Sequence, residues 1–201
     1  MNNDVSSSKF WDECYINDNT GWDIGSVTPV FEDWCNKLQQ KHSILVPGAG
    51  NGYDPLYFSS KGHDVTAVDF SKEATNNMKA YAEKNQIDIN IINADIFKLD
   101  INLFNKFDYI IEYTCFCAID RNRRLDYIKV MSDLLKKNGE LIGLFLPVLK
   151  DKKDGGPPYS INIEEVISQF SDYFDLVELK KHKLSINARV DNERYIHFKK
   201  K

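Results

Sequence analysis

From Ser43 onward, short apolar runs alternate with longer stretches of helical periodicity, and this alternation constrains the chain more than any other feature. The runs are Ile44-Leu45-Val46, Val65-Thr66-Ala67-Val68, Ile89-Asn90-Ile91-Ile92, Tyr109-Ile110-Ile111 and Leu141-Ile142-Gly143-Leu144-Phe145-Leu146. Each is short and almost continuously apolar, as strands covered on both faces are. Between them, residues 30–40 set Phe31, Trp34 and Leu38 at helical spacing, and Ser71 is placed as the N-cap of a helix reaching Lys84. Residues 121–137 carry Leu125, Ile128, Met131, Leu134 and Leu135 as an i, i+3/i+4 stripe, with Gly139 as its C-terminal stop. Residues 162–170 read as a shorter helix. Two further runs, Leu176-Val177-Glu178-Leu179 and Tyr195-Ile196-His197-Phe198, have no clear helix between them and are expected to pair antiparallel. Together these elements predict an α/β fold, a doubly wound and mostly parallel seven-stranded sheet.

Composition narrows the function classes. At 201 residues the chain suits one domain, with residues 1–40 as an N-terminal extension and 41–201 as the core. Residues 1–9 are polar and expected to fray. A net charge of 26 − 30 = −4 offers no basic field for nucleic acid or an anionic membrane. No run reaches 18 apolar residues, and the first 30 residues lack the n-region and h-region of a signal peptide. Cys115 and Cys117 are two apart, which is not a metal-knuckle spacing, and four cysteines make no disulfide framework. The expectation is a cytoplasmic protein, monomeric or weakly dimeric, with a small-molecule partner and no metal.

The segment Pro47-Gly48-Ala49-Gly50-Asn51-Gly52-Tyr53 leaves the first strand and enters a helix. A dinucleotide fingerprint reads G-x-G-x-x-G, but here the third glycine arrives one residue early, and no G-K-[ST] follows. The loop is joined by three other features at strand ends. Asp69 closes the second run, 21 residues past Gly48, where a carboxylate can accept both hydroxyls of a ribose or simply cap the next helix. Asp95-Ile96 follows the third run and suits an adenine, one residue for the exocyclic amine and one for the ring. Glu112-Tyr113 ends the fourth. Acidic strand ends repel a pyrophosphate and favour a nucleoside with a cationic tail, which points to S-adenosylmethionine. Trp11, Tyr15 and Trp22 admit two readings. They form a lid whose π-faces attract a sulfonium, or they staple the extension to the core.

At this point the chain resembles the class I S-adenosylmethionine-dependent methyltransferases, and among them the thiopurine/thiol/halide methyltransferase family. The matching pieces are WDECY, TGWDIGSVTP, LVPGAGNGYD, VTAVDFS, AD-I-F, FDYIIEYTCFCAI, R-x(6)-M-x(2)-LL-x(3)-GELI and GGPPY. The resemblance implies a Rossmann-like methyltransferase fold, and S-adenosylmethionine as cofactor with S-adenosylhomocysteine as product. It also implies that Trp11 and Trp22 close over the cofactor with Tyr15 alongside, and that Gly48 lies under its methionine portion. Asp69 would hold the ribose, Asp95 and Ile96 the adenine, and Glu112 the amino group. Tyr113 would stand at the methyl-transfer end, Arg124 near the acceptor, and Tyr159 at the border of the acceptor pocket. Three positions depart from the family pattern. Ala49 replaces a common cysteine, Glu112 a usual aspartate, and Cys115 a frequent aromatic.

The chemistry expected is in-line displacement onto a small thiol, sulfide or related soft nucleophile. A thiol of pKa about 8.5 is partly thiolate at neutral pH, so positioning and desolvation suffice without a strong base. His42, His63, His182 and His197 lie outside the matched motifs and read as surface or packing residues. Halide or thiopurine acceptors are the alternatives within the family. A non-catalytic S-adenosylmethionine-binding module is the alternative from another class.

Overall fold

The computed structural model describes residues 4–201. Of the end expected to fray, residues 1–3 lie outside the described residues, while Ser8 and Lys9 already belong to a helix. The chain divides into two compact units, Met1–Leu99 and Asp100–Lys201.

The first unit runs α1 (Ser8–Ile16), α2 (Pro29–Cys35), β1 (Ser43–Pro47), α3 (Tyr53–Ser60), β2 (Asp64–Asp69), α4 (Lys72–Asn85) and β3 (Asn90–Asn93). Its strands are parallel, β1 with β2 and β2 with β3. Ile44, Leu45, Val65, Ala67 and Val68 are buried, as the continuous apolar runs require. The Ser71 side chain accepts from the Ala74 N–H at 3.2 Å, so the expected N-cap of α4 is in place. Pro29 opens α2 at a position where its missing N–H costs nothing. The Thr28 backbone N–H and hydroxyl both donate to the Asp54 carboxylate, at 2.7 and 2.8 Å, and tie the start of α2 to α3.

The second unit runs β4 (Phe107–Tyr113), α5 (Arg124–Leu134), β5 (Leu135–Phe145), α6 (Ile163–Phe170), β6 (Phe174–Lys180) and β7 (Arg194–Lys200). β4 and β5 are parallel, and β7 is antiparallel to both β5 and β6, as expected of the last two runs. An aromatic core of Phe116, Phe145, Phe170, Phe174 and Phe198 fills this unit, with Phe170 stacked on Phe198 at 4.5 Å.

Several expectations need correction here. The helix expected over 121–137 is a 3-10 turn at Arg121–Arg123 followed by α5, which stops at Leu134. Leu135 turns extended and starts β5 at once, so Gly139 lies inside a strand and caps nothing. Its missing side chain serves strand packing instead, because a Cβ there would sit 3.1 Å from the Phe107 carbonyl oxygen. Leu125 points outward at 60% exposure, while Tyr127, Ile128, Met131 and Leu134 form the buried stripe. Cys115 and Cys117 lie beyond β4, in a turn that Thr114 enters at φ 62°.

Candidate functional site

In the first unit the glycine loop and the end of β2 form a single hydrogen-bonded cradle. Gly48, Gly50 and Gly52 all adopt positive φ, at 59°, 57° and 83°. Glycine is required at two of them for space as well. A Cβ on Gly52 would lie 2.4 Å from Met78 Cγ, and one on Gly50 would lie 3.0 Å from the Tyr15 hydroxyl. The third glycine thus does serve close packing against α4, although it comes one residue early. The Gly50 N–H donates to Asp69 Oδ2 at 2.7 Å, and the Ser71 N–H donates to Asp69 Oδ1 at 2.8 Å.

Asp69 is 8% exposed, and burial pushes its carboxyl up to about 6 despite its backbone donors. Gly50 holds one oxygen and Ser71 the other, and a carboxylate has about four lone-pair sites, so acceptor capacity remains for a diol. This donor and acceptor set fits the ribose of a nucleoside. Asp95 caps the 3-10 turn Ile96–Lys98 by accepting from the Phe97 N–H at 3.0 Å, and Ile96 is buried beside it.

The aromatic segment packs as one cluster in the same unit. Trp11 meets Trp22 edge-on at 5.6 Å, and Trp22 meets Tyr15 at 5.9 Å. The Trp22 indole N–H donates to the Tyr15 hydroxyl at 3.4 Å. Polar ties anchor the segment. The Asn51 amide of the glycine loop donates to Asp23 at 2.6 Å, and the Ser71 hydroxyl donates to Asp12 at 2.7 Å.

The second unit gathers Tyr113, Arg124 and Tyr159 with residues that the motifs do not reveal. The Tyr113 hydroxyl donates to Glu193 Oε2 at 3.4 Å, and the Arg189 guanidinium sits 5.0 Å above the Tyr113 ring. Arg124 is 4% exposed and lies 4.6 Å over Phe116. Its Nη1 donates to the Ser160 carbonyl at 3.4 Å, while Nε and Nη2 are buried with no hydrogen-bond partner among the described residues. Tyr159 is fixed by its own N–H, which donates to the Cys117 carbonyl at 2.7 Å, and the Arg121 guanidinium lies 5.3 Å over its ring. Burial pushes the Cys117 thiol up to about 12 and holds it neutral.

Glu112, expected on the cofactor's amino group, turns its carboxylate into the core of this unit. It is 1% exposed, one oxygen accepts from the Phe116 N–H at 2.8 Å, and the other accepts from the Tyr127 hydroxyl. Burial raises its carboxyl to about 7. Arg121, Arg189 and Glu193 lie outside every matched motif, and no spacing signal marks them.

The histidines take packing roles. The His63 ring accepts from the His42 N–H at 3.2 Å, and His197 lies 3.0 Å from Glu140. All four cysteines are buried. No helix among the described residues is long and apolar enough to cross a membrane.

Comparisons with known proteins show the family and the fold. Residues 6–196 match the family described as Thiopurine S-methyltransferase. The protein named Probable thiol methyltransferase 2 from Arabidopsis thaliana is 31% identical over 199 residues, covering 97% of this chain and 86% of its own. The Thiocyanate methyltransferase 1 of Brassica oleracea is 31% identical over 196 residues, covering 94% and 84%. Among solved structures, the Burkholderia thailandensis 1,6-didemethyltoxoflavin-N1-methyltransferase, with bound substrate and S-adenosylhomocysteine, superposes with a TM-score of 0.77 at 18% identity. It covers 96% of this chain and 86% of that one, and the likeness shows the fold.

Proposed function

Because the chain belongs to the thiopurine S-methyltransferase family, and is with it an S-adenosylmethionine-dependent methyltransferase acting on sulfur nucleophiles, we propose that its acceptor is a small soft anion held by Arg124. The carrying observation is the Arg124 guanidinium, which is buried with Nε and Nη2 unpartnered. A buried cation that lacks hydrogen-bond acceptors is costly, and an anion on those two nitrogens offsets the cost. A thiolate meets that need, and so does the pseudohalide in the name of the Brassica relative.

When bound, S-adenosylmethionine supplies a methyl carbon activated by its sulfonium, with a neutral thioether as leaving group, so no general acid is required. Asp69 holds the ribose hydroxyls, and Asp95 with Ile96 receives the adenine. Gly48 and Gly50 let the backbone approach the methionine portion, and Trp11, Tyr15 and Trp22 cover the cofactor and exclude water. Arg124 holds the acceptor, Tyr159 borders it, and Tyr113, braced by Glu193 and Arg189, orients it. These residues position and desolvate a nucleophile that needs no base.

The match across residues 6–196 supports reading the whole chain as one methyltransferase domain. Its acidic balance supports a small-molecule acceptor over nucleic acid. Four cysteines, too few and too buried for a disulfide framework, support a reducing, cytoplasmic setting, in which we expect a monomer or weak dimer.

The test is an acceptor screen. Purified protein is incubated with S-adenosylmethionine and sulfide, methanethiol, thiocyanate, iodide, bromide or a thiopurine, and volatile products and S-adenosylhomocysteine are measured. Turnover with the small anions and little with the thiopurine is expected. A clear preference for the bulky thiopurine would overturn the small-anion reading.

A further inference from the structure

Ser71 is fully buried and connects two carboxylates that lie 57 residues apart in the chain, Asp12 and Asp69. Its backbone N–H donates to Asp69 Oδ1 at 2.8 Å. Its hydroxyl donates to Asp12 Oδ1 at 2.7 Å while accepting from the Ala74 N–H at 3.2 Å. The same Asp12 oxygen accepts the Glu73 N–H at 3.2 Å. The first turn of α4 is therefore capped twice, once by its own Ser71 and once by a carboxylate brought from α1. That second cap is well placed, since a negative charge at a helix N-terminus meets free N–H groups and the positive end of the helix dipole.

We infer that Asp12 is a positioning residue for cofactor binding, holding Ser71 so that the Ser71 N–H orients the Asp69 carboxylate toward the ribose. The inference rests on the reading of Asp69 as the ribose carboxylate. Ser71 has one hydroxyl proton, and Asp12 takes it, which fixes the rotamer and leaves a lone pair for Ala74. Without that acceptor the hydroxyl proton competes for other partners and the Asp69–Phe70–Ser71 turn loses its brace. Gly50 then remains as the donor on Oδ2, and the carboxylate is held from one side only. Asp12 lies between Trp11 and Tyr15 on α1, so the same contact sets the helix that carries the aromatic cluster. Closure of that cluster and alignment of the ribose acceptor thus share one hydrogen bond.

The experiment is calorimetry with S-adenosylhomocysteine and with its 2′-deoxy analogue, on the wild type, Asp12→Ala, Ser71→Ala and Asp69→Ala. Asp12→Ala removes the oxygen that accepts from Ser71 and Glu73. Asp12→Ala and Ser71→Ala should each weaken S-adenosylhomocysteine by about tenfold, because a charge-assisted hydrogen bond is being misdirected. They should weaken the 2′-deoxy analogue much less, so the preference for the full ribose shrinks toward that of Asp69→Ala. The double variant Asp12→Ala/Ser71→Ala should be no worse than either single one. Equal weakening of both ligands would make Asp12 a helix cap only, and unchanged affinity would remove it from the site; either overturns the inference while leaving Asp69 in place. Unchanged affinity in Asp69→Ala would overturn the ribose reading itself. Should Asp12→Ala fail to fold, Ser71→Ala alone gives the same ratio.

Discussion

Gly50 and Asp69 are joined by a 2.7 Å hydrogen bond from the loop N–H to Oδ2, which ties the glycine loop to the end of β2 in the cradle proposed to receive a ribose. Asp69→Ala should therefore weaken S-adenosylhomocysteine binding by roughly tenfold or more, as expected for losing charge-assisted bonds of about 1.5–3 kcal/mol each. Calorimetry on the folded variant checks this, and wild-type affinity would exclude Asp69 from the site.

The same carboxyl sets a pH dependence. Burial raises Asp69 to about 6, and on the proposed reading only its ionised form accepts from both ribose hydroxyls. Affinity for S-adenosylhomocysteine should be full above pH 7 and fall as pH drops through about 6. Binding isotherms from pH 5 to 8 test it, with Asp69→Asn expected to be weak and flat across the range.

Glu112 carries a stability prediction of definite sign. Its carboxyl is raised from 4.5 to about 7 by burial. A raised acid contributes stability that is fully present below the unfolded value and is lost as pH rises through the folded one. Glu112→Gln, which keeps the shape but cannot ionise, should lose less stability than the wild type between pH 5 and 8. Urea unfolding at the two pH values measures this, and identical pH dependence in both proteins would contradict it.

Gly52→Ala should cost about 1–3 kcal/mol, since it combines a left-handed backbone with a Cβ driven into Met78. Adding Met78→Ala should relieve the clash while leaving the backbone cost. A Gly52→Ala protein as stable as the wild type in urea would show that α4 yields at no cost.

On the acceptor side, Arg124→Ala and Tyr113→Phe should lower kcat/KM by about 10–100-fold without abolishing turnover, as expected of positioning groups. Rates with a thiol should rise with pH along the thiol's own ionisation, whereas rates with iodide should not. A bell-shaped profile shared by both acceptors and lost in one variant would reveal an enzyme base.

The parallel strands were legible because buried strands leave continuous apolar runs, and the place of Asp69 at the end of β2 was legible because it closes such a run. Helix α1 was not, since its residues are polar and aromatic and only Cys14 is buried. The end of α5 was missed because Leu134 and Leu135 fit helix and strand patterns equally, and the switch occurs between them. Glu112 reads as a strand-end acid, but its partners Phe116 and Tyr127 come from the following turn and helix. Arg189 and Glu193 gain their place only from the antiparallel return of β7, which brings Tyr113 and Glu193 together across 80 residues. The packing roles of His63 and His197 were anticipated, and the contacts with His42 and Glu140 agree.

On the proposed reading of Asp69 as the ribose carboxylate, its raised carboxyl should also make cofactor loading a proton-releasing event. Near pH 6 a sizeable share of the free protein carries a proton on that carboxyl, and engaging the ribose favours the ionised form, so the proton passes to the medium as the nucleoside enters. The heat of loading measured there then includes the buffer's ionisation heat and differs between phosphate and a high-enthalpy amine buffer. The difference vanishes at pH 8, where the carboxyl is already bare.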